Sequence, residues 1–498
     1  MRNRLLLLLT AVGAVVLVVR AWSFGFLADD AFITLRYLRN LLEGEGLVFN
    51  PGERVEGYTN FGWLLALAPF GAAGADLVLA ARVLGVVCGA GVLFVVARGA
   101  RWMSGESPFA APVAVLLIVA SAPFACWTGA GMETACFALL AVSVATTTGW
   151  RAGLFAGLAA VARPEGLLLG AIAIGFTAFG APRRERWRAA LASAFPFVLL
   201  VGAHLAFRVT YYGEWLPNTF HAKVGGASHA IVERGVDYLA LFARENGGLL
   251  LYALPLVGVA WRRDRAWWQA FAALVLLAAA VVAVGGDGLP MYRFAVPLVP
   301  LWSLLAAAFV ADVARVRPPV TAGAGAALAA VGIALVSMGP PAQSVQRGRM
   351  VAQRDLEVPV WSAVGRWLEA NASPGESVAC VPIGAIGYYS ALPLVDMLGL
   401  TDAHIARADV PAGEGWAGHE KHDGPYVLAR RPTYLLLGNV TVYEARVPLD
   451  HPDLFRLSHP VVRAREGDLV GPELERLYER AEADLGDGLW LYYVRLRD

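Results

Sequence analysis

The amino-acid sequence predicts a polytopic α-helical membrane protein that carries a smaller α/β domain outside the membrane. Three observations support this fold class. Of the 498 residues, 57% are hydrophobic and only 16% are charged, a composition too apolar for an ordinary soluble enzyme. Apolar runs long enough to cross a bilayer recur up to about residue 340. Beyond that point, short strand-like and helix-like patterns replace them.

Apolar segments give about eleven candidate transmembrane helices. A span needs about 20 apolar residues, so 133–148 and 152–162 are the weakest candidates, and losing both as a re-entrant pair would leave later orientations unchanged. The segment 61–73 is short and interrupted by Pro69 and Gly71, so we expect a half-length interfacial helix. The predicted spans are 5–22, 77–97, 109–124, 133–148, 152–162, 164–180, 189–209, 247–261, 266–285, 294–312 and 320–339.

The first of these segments also has the basic start and apolar run of a signal peptide. No small-x-small cleavage site precedes Asp29, and many further spans follow. We therefore expect 5–22 to remain as the first span.

Basic residues are concentrated in alternate connections between the predicted spans, as the positive-inside rule expects. If Arg2 and Arg4 are cytoplasmic, one assignment puts every basic connection inside: 97–101, Arg151, 182–188, 261–265 and 314–317. The long polar loops and the tail then face outside: 23–60, 125–132, the stretch around Arg163, 210–246, 286–293 and the residues after about 340. We expect a multi-pass protein of the bacterial inner membrane whose functional face points to the periplasm or the outside.

Two domains follow from this division of the chain. The transmembrane domain covers 1–340 and includes a first external loop with interfacial helices at 23–76, whereas an extracytoplasmic α/β domain covers 341–498. In the second domain, VWSAVGRWLEANA is typical of an amphipathic helix. SVACVPI, PTYLLLG and LWLYYVRL are rich in β-branched and aromatic residues, which favours short strands.

Polar residues of the outer loops come in dense clusters, each next to the outer end of a predicted span. We expect these clusters to surround one cavity at the outer membrane interface. A lipid-sugar flippase or transporter, the alternative class, would instead place charges at mid-bilayer on broken helices, and the predicted mid-span regions have almost none. The clusters are 29–40, 50–61, 129–134, 162–166, 214–223 and 285–294.

Asp29 and Asp30 are adjacent carboxylates directly after the first span. One of them could simply cap the helix that begins AFITLRYLRNLL. Two acids exceed what a cap needs, and a carboxylate whose pKa is raised by its neighbour and by burial suits a general base for a hydroxyl nucleophile. A divalent cation as cofactor stays open, although no nearby histidine or third acid in the first loop completes a metal site.

Cationic side chains in the same clusters could bind the phosphate of a leaving group. Interfacial arginines and lysines also commonly extend toward lipid phosphates, which is the simpler interpretation for about half of them. Arg163 and Arg293 differ because proline and glycine hold them near helix ends, although Glu165 could simply pair with Arg163. The candidate phosphate-binding residues are Arg36, Arg54, Arg163, His221, Lys223 and Arg293.

Several function classes are disfavoured by what the sequence lacks. The net charge of +1 gives no sign of a nucleic-acid partner, and the four cysteines have no metal-ligand spacing. Neither a P-loop nor a dinucleotide-binding glycine motif is present. An enzyme acting outside the membrane has no nucleotide sugar available, so a lipid-linked activated donor is the natural energy source.

The clusters resemble those of the GT-C superfamily of membrane glycosyltransferases, which use polyprenyl-phosphate sugars and carry an acidic pair in the first external loop. Within it, the chain most resembles the terminal β-(1→2)-arabinofuranosyltransferases of mycobacterial cell-wall arabinan. The matching stretches run in order through nearly the whole chain. They are 29–61, GMET (131–134), ARPEG, WLPNTFHAK, GGDGLPMYRF, 384–406 and 418–432.

This resemblance implies a GT-C catalytic domain in which Asp29 or Asp30 is the catalytic carboxylate. It implies a polyprenyl-phosphate pentose such as decaprenylphosphoryl arabinose as donor, a cell-envelope glycan as acceptor, and contact with membrane lipid. Gly288 stands where the resemblance leads us to expect a bulky residue, so a hexose donor remains an alternative. A catalytically inactive scaffold or a glycan-binding protein is a further alternative, which the retained acid pair and its cations disfavour. We expect polar residues of the matching motifs to bind substrate: Glu56, Tyr58, Asn60, Glu133, Glu165, Asn218, Asp287, Tyr292, Asp396 and His419.

Overall fold

The computed structural model describes most of the chain. The described residues are 2–223, 229–259, 262, 264–316, 344–410, 418–451, 454–455, 457 and 460–498. The predicted span at 320–339 lies outside them.

The described residues up to 316 are mainly helical, and the apolar helices match the predicted apolar segments, whereas the helices Asp29–Leu42, Asn218–Lys223 and His229–Glu245 lie in predicted polar loops. A short 3-10 turn, Arg293–Ala295, precedes the last of them. The helices are α1 Arg2–Phe24, α2 Asp29–Leu42, α3 Phe61–Ala72, α4 Leu77–Met103, α5 Ala110–Ala120, α6 Ala122–Thr128, α7 Thr134–Thr146, α8 Trp150–Ala162, α9 Gly166–Gly180, α10 Arg186–Tyr212, α11 Asn218–Lys223, α12 His229–Glu245, α13 Leu249–Gly258, α14 Arg265–Ala283 and α15 Leu298–Val316.

Within the described residues, four helices are long and apolar enough to cross a membrane: α1, α4, α10 and α14. The pair α5 and α6 meets the same criteria together but bends by 71° at Ser121. Helices α3, α7, α8, α9 and the described apolar part of α15 are apolar but shorter. The predicted positions of the apolar helices are therefore confirmed, and the chain is a multi-pass membrane protein, whereas the number of eleven crossings stays a prediction.

Small residues allow the short helices to pack closely. A Cβ at Gly153 of α8 would lie 1.7 Å from the carbonyl oxygen of Ser193 in α10, so these two backbones are in direct contact. One turn later, Gly157 faces Phe197 and Leu200 in the same way. Close approach through glycine is a common basis of helix association in membranes, where lipid offers no hydrophobic drive.

Beyond residue 344, the described chain forms helices around a six-stranded mixed sheet. The strand order is β2-β1-β3-β6-β4, with β5 paired to β6; β1 runs parallel to β2 and β3, and the remaining pairs are antiparallel. The predicted amphipathic helix and the three predicted strands (in β1, β3 and β6) are confirmed. The strands are β1 Val378–Cys380, β2 Leu394–Asp396, β3 Tyr434–Leu435, β4 Thr441–Tyr443, β5 Tyr478–Gly486 and β6 Leu489–Leu496. The helices are Val345–Ala352, Val358–Asn371, Ile383–Ser390, Ala403–Ala406, Gly424–Ala429, Pro460–Glu466 and Pro472–Leu477, with a π-helical turn at Gln353–Glu357.

Helix α2 joins the membrane part to this sheet-containing part. It packs against the helix Ile383–Ser390, which in turn packs against Val358–Asn371. Phe32 of α2 contacts the rings of Tyr388 and Tyr389 at 5.5 and 5.6 Å between centroids. Ten of the fourteen residues of α2 are buried, so α2 lies inside the molecule and does not project from it.

Candidate active site

The two adjacent acids lie in the first turn of α2 but do not cap it. Ala28 is the N-cap residue and makes no side-chain capping bond. Asp29 instead accepts hydrogen bonds from the backbone N–H groups of Gly384 (3.0 Å) and Ala385 (2.8 Å), which begin another helix. Asp29 therefore caps the helix Ile383–Ser390, so the alternative in which it only caps α2 does not hold, although both acids lie in the first turn of α2, where a carboxylate complements the helix dipole.

This contact leaves Asp29 buried, with 8% of the residue exposed. Burial raises the pKa of Asp29 to about 7, against the opposing effect of the Ala385 and Gly384 N–H donors, and the charge of Asp30 adds to the increase. Both oxygens of Asp29 are occupied by the helix they cap. Its carboxylate is thus a structural tie between the first outer loop and the sheet-containing part.

Asp30 has a different environment, because its side chain is 24% exposed and faces cations. Its Oδ2 lies 3.4 Å from Nη1 of Arg293. Burial alone would raise the pKa of Asp30, but the charges of Lys223, Arg293 and His419 lower it. Asp30 is therefore ionised at neutral pH and has acceptor capacity on its exposed side.

Arg293 links Asp30 to a second carboxylate. Its Nε donates to Oδ2 of Asp287 at 2.8 Å, while Nη1 also contacts the sulfur of Met132 at 3.5 Å. The guanidinium lies 4.9 Å from the centroid of the Phe294 ring. Although burial lowers the pKa of an arginine, the charges of Asp287 and Asp30 raise that of Arg293, so it stays cationic.

The loop that carries Arg293 has an uncommon backbone. Met291 and Tyr292 have φ of 57° and 55°, a left-handed conformation that costs free energy for residues other than glycine. Trp127 holds this turn by donating from Nε1 to the carbonyl oxygens of Pro290 and Met291, both at 3.1 Å. A strained backbone persists where the surrounding structure holds it in place. Here the bonds from Trp127 hold the turn and therefore fix the position of Arg293.

Arg163 forms the second half of the cluster. Its Nη2 donates to Glu165 at 2.8 Å and its Nη1 lies 3.5 Å from Glu133, so the predicted pairing of Arg163 with Glu165 is confirmed. The guanidinium of Arg163 contacts the same Phe294 ring as that of Arg293, at 4.7 Å from the ring centroid. Burial would lower the pKa of Arg163, but Glu165 and Glu133 raise it. Glu133 also accepts from Asn60 Nδ2 at 3.0 Å, which extends the cluster to the first outer loop.

The structure thus brings together residues from every predicted cluster at one end of the helices. Asp30, Asn60, Glu133, Arg163, Glu165, Asp287 and Arg293 are connected by direct hydrogen bonds, ion pairs or a shared ring, with Lys223 and His419 close enough to affect Asp30. His221 lies two residues before Lys223 on α11 and contacts the Phe220 ring at 5.8 Å.

Arg36 has structural partners in place of the predicted phosphate. Its guanidinium donates to the carbonyl oxygens of Phe49 (2.7 Å), Gly387 (2.8 Å) and Leu392 (2.7 Å). It also donates to Oδ1 of Asn50, and only 1% of the residue is exposed. A phosphate could reach Arg36 only by breaking these bonds, so the geometry assigns it to anchoring α2.

Four of the predicted substrate-binding residues also have internal partners. Tyr58 contacts the Tyr212 hydroxyl at 3.1 Å, and Tyr292 donates to Glu245 at 2.6 Å. Asn218 donates to the carbonyl oxygens of Gly399 and Leu400 at 2.8 and 3.0 Å. Asp396 accepts from Leu398 N and Thr401 N, although burial raises its pKa to about 6. Because buried polar groups need such partners, these bonds stabilise loops and leave little capacity for a ligand.

Glu56 and Arg54 lie outside the Asp30 cluster. Glu56 is buried and accepts from Arg208 at 2.5 and 3.1 Å, with His204 at 3.8 Å. Arg54 covers the Tyr211 ring at 4.9 Å. The sequence did not indicate the roles of Arg208 and His204, because both lie within a predicted span that has the composition of a lipid-facing helix. The one available signal was Arg208 itself, because an arginine is uncommon within a span of such low charge.

Within the part of the chain that the structure describes, no group of three or more histidine, cysteine or acidic residues is arranged to hold a metal ion.

A further contact was not predicted from the sequence: Arg234 pairs with Glu420 at 2.9 Å and donates to Gly285 O. It connects α12 to the loop that carries Asp287 and to the segment after His419.

Comparison with known proteins supports the resemblance that the motifs suggest. A family described as Domain of unknown function (DUF8728) matches residues 347–483. Proteins named terminal β-(1→2)-arabinofuranosyltransferase are 29% identical over 252 residues in Mycobacterium tuberculosis and 28% identical over 340 residues in Corynebacterium glutamicum. These alignments cover 45% and 57% of this chain, but only 39% and 48% of the two relatives, so the chain matches less than half the length of each.

Solved structures show the fold. ArnT from Cupriavidus metallidurans bound to undecaprenyl phosphate has a TM-score of 0.52 at 13% identity, covering 80% of this chain and 86% of that one. The arabinofuranosyltransferase AftD from Mycobacteria has a TM-score of 0.51 at 16% identity, covering 100% of this chain and 42% of that one. The chain therefore has the GT-C fold, as its motifs predict.

Proposed function

We propose that this protein is a glycosyltransferase that moves a sugar, arabinofuranose, from a polyprenyl-phosphate donor to a cell-envelope glycan at the outer face of the membrane. The observation that carries the proposal is the pairing of the partly exposed Asp30 with Arg293, beside Lys223 and His419. A carboxylate next to several cations suits a reaction in which a hydroxyl loses a proton while a phosphate departs. The named relatives and the GT-C fold agree with this reaction class.

Asp30 accepts the proton of the acceptor hydroxyl, whose oxygen forms the new bond to the anomeric carbon. The bond between that carbon and the phosphate oxygen breaks with both electrons going to the oxygen, through an oxocarbenium-like state. Arg293 and Lys223 stabilise the polyprenyl phosphate that leaves. Arg163, which contacts the same Phe294 ring as Arg293, adds a second fixed positive charge.

Asp29 does not act as the base in this proposal, because both of its oxygens accept backbone hydrogen bonds. Asp287 holds Arg293 and does not touch the substrate. Glu133 and Glu165 play the same part for Arg163. The transmembrane part, 1–340, then supplies the reacting groups and a path for the lipid, while 341–498 lies outside the membrane and contributes to holding the glycan.

The test compares Asp30→Asn with Asp29→Asn in purified protein. The substrates are polyprenyl-phosphoryl arabinose and a short arabinan acceptor, and the product is followed by glycan mass. We expect Asp30→Asn to lose transfer by about 100-fold or more, as removal of a general base does. Asp487→Asn, in an exposed turn between β5 and β6, is the matched control and keeps wild-type activity.

Asp29→Asn tests the structural role of Asp29. We expect this variant to have a lower thermal stability and an activity per folded molecule near that of wild type. Loss of transfer in Asp29→Asn with full stability, and retention of transfer in Asp30→Asn, would reverse the assignment of the base.

A panel of polyprenyl-phosphate hexoses tests the identity of the sugar separately from the reaction class. Transfer of a hexose alone would overturn arabinose, and Gly288, whose carbonyl oxygen accepts from Arg349, would then be the first pocket residue to vary.

A further inference from the structure

A small cleft lies where the first outer loop meets the sheet-containing part, away from the contacts of Asp30. Its volume is about 170 Å³. One wall is Glu53, Arg54 and Val55; the opposite walls are 401–404, Tyr426 and Arg430. The mechanism proposed above uses none of these side chains.

An aromatic platform forms one side of the cleft. The imidazole of His404 stacks on the ring of Tyr426, with centroids 4.0 Å apart and planes 14° from parallel. The position of the imidazole is fixed by Asp423, 2.8 Å from Nε2, yet 54% of the His404 side chain remains exposed. The open face of a planar ring held in this way is a surface on which the C–H groups of a sugar ring can pack.

Charges of both signs line the remainder of the cleft. Arg430 pairs with Glu53 at 3.0 Å, and the Tyr426 hydroxyl donates to Asp402 at 3.0 Å. Among the described residues Arg54 has no ion-pair partner, and it contacts the Tyr211 ring. Two arginines and two carboxylates cancel, which disfavours a phosphate or another strongly charged ligand. Alternating donors and acceptors instead match hydroxyl groups, which donate and accept.

Helix α11 connects this cleft to the candidate active site. Its first residue, Asn218, donates to the carbonyl oxygens of Gly399 and Leu400, next to the cleft wall, and its last residue, Lys223, acts on Asp30. A helix of six residues is about 9 Å long. The cleft wall and Asp30 therefore lie near opposite ends of this helix.

We propose that the cleft between Arg54 and His404 is a binding subsite for a neutral oligosaccharide, which holds the acceptor chain at a point away from its reacting end. The inference rests on the proposed function for the identity of the sugar, but the binding can be measured without it. A subsite of this kind selects long acceptors over short ones and does not take part in the chemical step.

The first measurement is calorimetric binding of an arabinofuranosyl hexasaccharide to the full-length protein, without donor, so that no turnover occurs. We expect His404→Ala and Arg54→Ala each to weaken binding about tenfold, as the loss of one good contact does. Ala403→Trp fills the cleft and should abolish binding. The matched control is Arg446→Ala, an exposed arginine of the same part of the chain that pairs with Glu482 and does not line the cleft.

Turnover gives a second readout. With the hexasaccharide as acceptor, the cleft variants should raise KM and leave kcat unchanged, whereas a disaccharide acceptor should show no difference. Wild-type-like binding by all three variants, or no binding of any oligosaccharide by wild type, would overturn the subsite. If wild type binds a hexose hexasaccharide but not the arabinofuranosyl one, and His404→Ala weakens that binding, the subsite stands and the proposed sugar fails. If transfer occurs and the variants bind normally, the proposed function stands without the subsite.

Discussion

At the scale of single residues, the adjacent aspartates Asp29 and Asp30 have different roles. Asp29 and Asp30 are one position apart on α2, so their side chains point about 100° apart around the helix. One therefore reaches the start of the helix Ile383–Ser390 while the other reaches Arg293. No pattern in the sequence distinguishes them, because both are aspartates in the same turn and only their distant partners differ.

The pH dependence of transfer distinguishes the two acids as base. A base must be ionised, and the pKa of Asp30 is lowered from 3.8, whereas that of Asp29 is raised to about 7. If Asp30 is the base, kcat/KM should stay level as the pH falls from about 7.5 to 5. If Asp29 were the base, kcat/KM would fall about tenfold for each pH unit below 7. The measurement is kcat/KM for the acceptor across this range.

The titration of Asp29 does not destabilise the folded protein at acidic pH, so it cannot cause a loss of activity there through unfolding. The folded-state pKa of Asp29 lies above its unfolded value, so the folded protein binds more protons between about pH 4 and 7. Its contribution to stability is therefore complete below about pH 4 and is lost as the pH rises through 7. A thermal unfolding series over the same pH values serves as the control, and a decline of kcat/KM centred near pH 7 would contradict the assignment to Asp30.

Other site residues were predictable to different degrees. Arg163 and Arg293 were singled out because proline and glycine hold them at helix ends, and both lie in the central cluster. Arg36 has the same residue type and a similar position next to a span, but two of its three carbonyl partners lie more than 300 residues away. Backbone acceptors carry no residue signature, so such a role cannot be derived from composition or spacing.

At the scale of elements, α2 is fixed by bonds at both of its ends. Five hydrogen bonds join α2 to the chain around 384–392. Asp29 accepts two of them, Arg36 donates two, and Arg39 donates one to Tyr388 O. Because α2 also carries Asp30, this docking sets the position of the candidate base relative to Arg293. The predicted interfacial helix of the first outer loop is therefore a connector between two parts of the molecule.

Replacing Arg36 tests this role. Arg36→Met keeps much of the side-chain volume but removes the donor to the carbonyl oxygens of Phe49, Gly387 and Leu392. Phe49 O and Gly387 O keep bonds from Asn40 and from the backbone of Ala391, whereas Leu392 O loses its donor. A buried polar group that loses its partner costs about 1–3 kcal/mol, so we expect a loss of at least that size, measured as a lower midpoint of thermal unfolding in detergent. Arg476→Met, at an arginine whose side chain is 70% exposed, should leave the midpoint unchanged. An Arg36→Met protein as stable as wild type would refute the anchor.

Helix packing gives a second prediction at this scale. At Gly153 the backbone of α10 leaves no room for a side chain, since a Cβ would meet Ser193 O at 1.7 Å. Gly153→Ala should therefore separate α8 from α10 and reduce the yield of folded protein, at a cost of about 1–3 kcal/mol typical of overpacking. Gly202→Ala, in α10 with nothing within 4 Å of its Cβ position, is the control and should be neutral or stabilising. Size-exclusion recovery from the membrane measures both.

Sequence patterns predicted the elements well and their assembly poorly. Apolar runs gave the positions of the helices because burial in lipid or core requires them, and β-branched residues indicated three of the strands. The short lengths of α7 and α8 were predicted, because 133–148 and 152–162 fall below the length of a full span, whereas the 71° bend at Ser121 was not. The packing of the short helices was not predicted either, because it uses contacts such as Gly153 with Ser193, between residues 40 positions apart, which hydropathy does not encode.

At the scale of the whole molecule, the outer clusters of the sequence meet at one end of the helices. Residues from α2, the loops before α7 and α9, α11, the Arg293 turn and the segment at His419 contact or affect one another. They can meet only if all of them lie on the same side of the membrane. The arginine-rich connections at 97–101 and 182–188 belong to the opposite set, which the positive-inside rule assigns to the cytoplasm.

This sidedness can be measured with single cysteines and a maleimide that does not cross membranes. Ser373→Cys lies in an exposed turn of the sheet-containing part, and Arg184→Cys lies in the exposed turn before α10. Background should be low, because Cys88, Cys126 and Cys380 are buried and Cys136 is half-buried. In intact spheroplasts we expect Ser373→Cys to react and Arg184→Cys to react only after permeabilisation. The reverse pattern would put the Asp30 cluster on the cytoplasmic side, where nucleotide sugars are available, and would remove the reason for a lipid-linked donor.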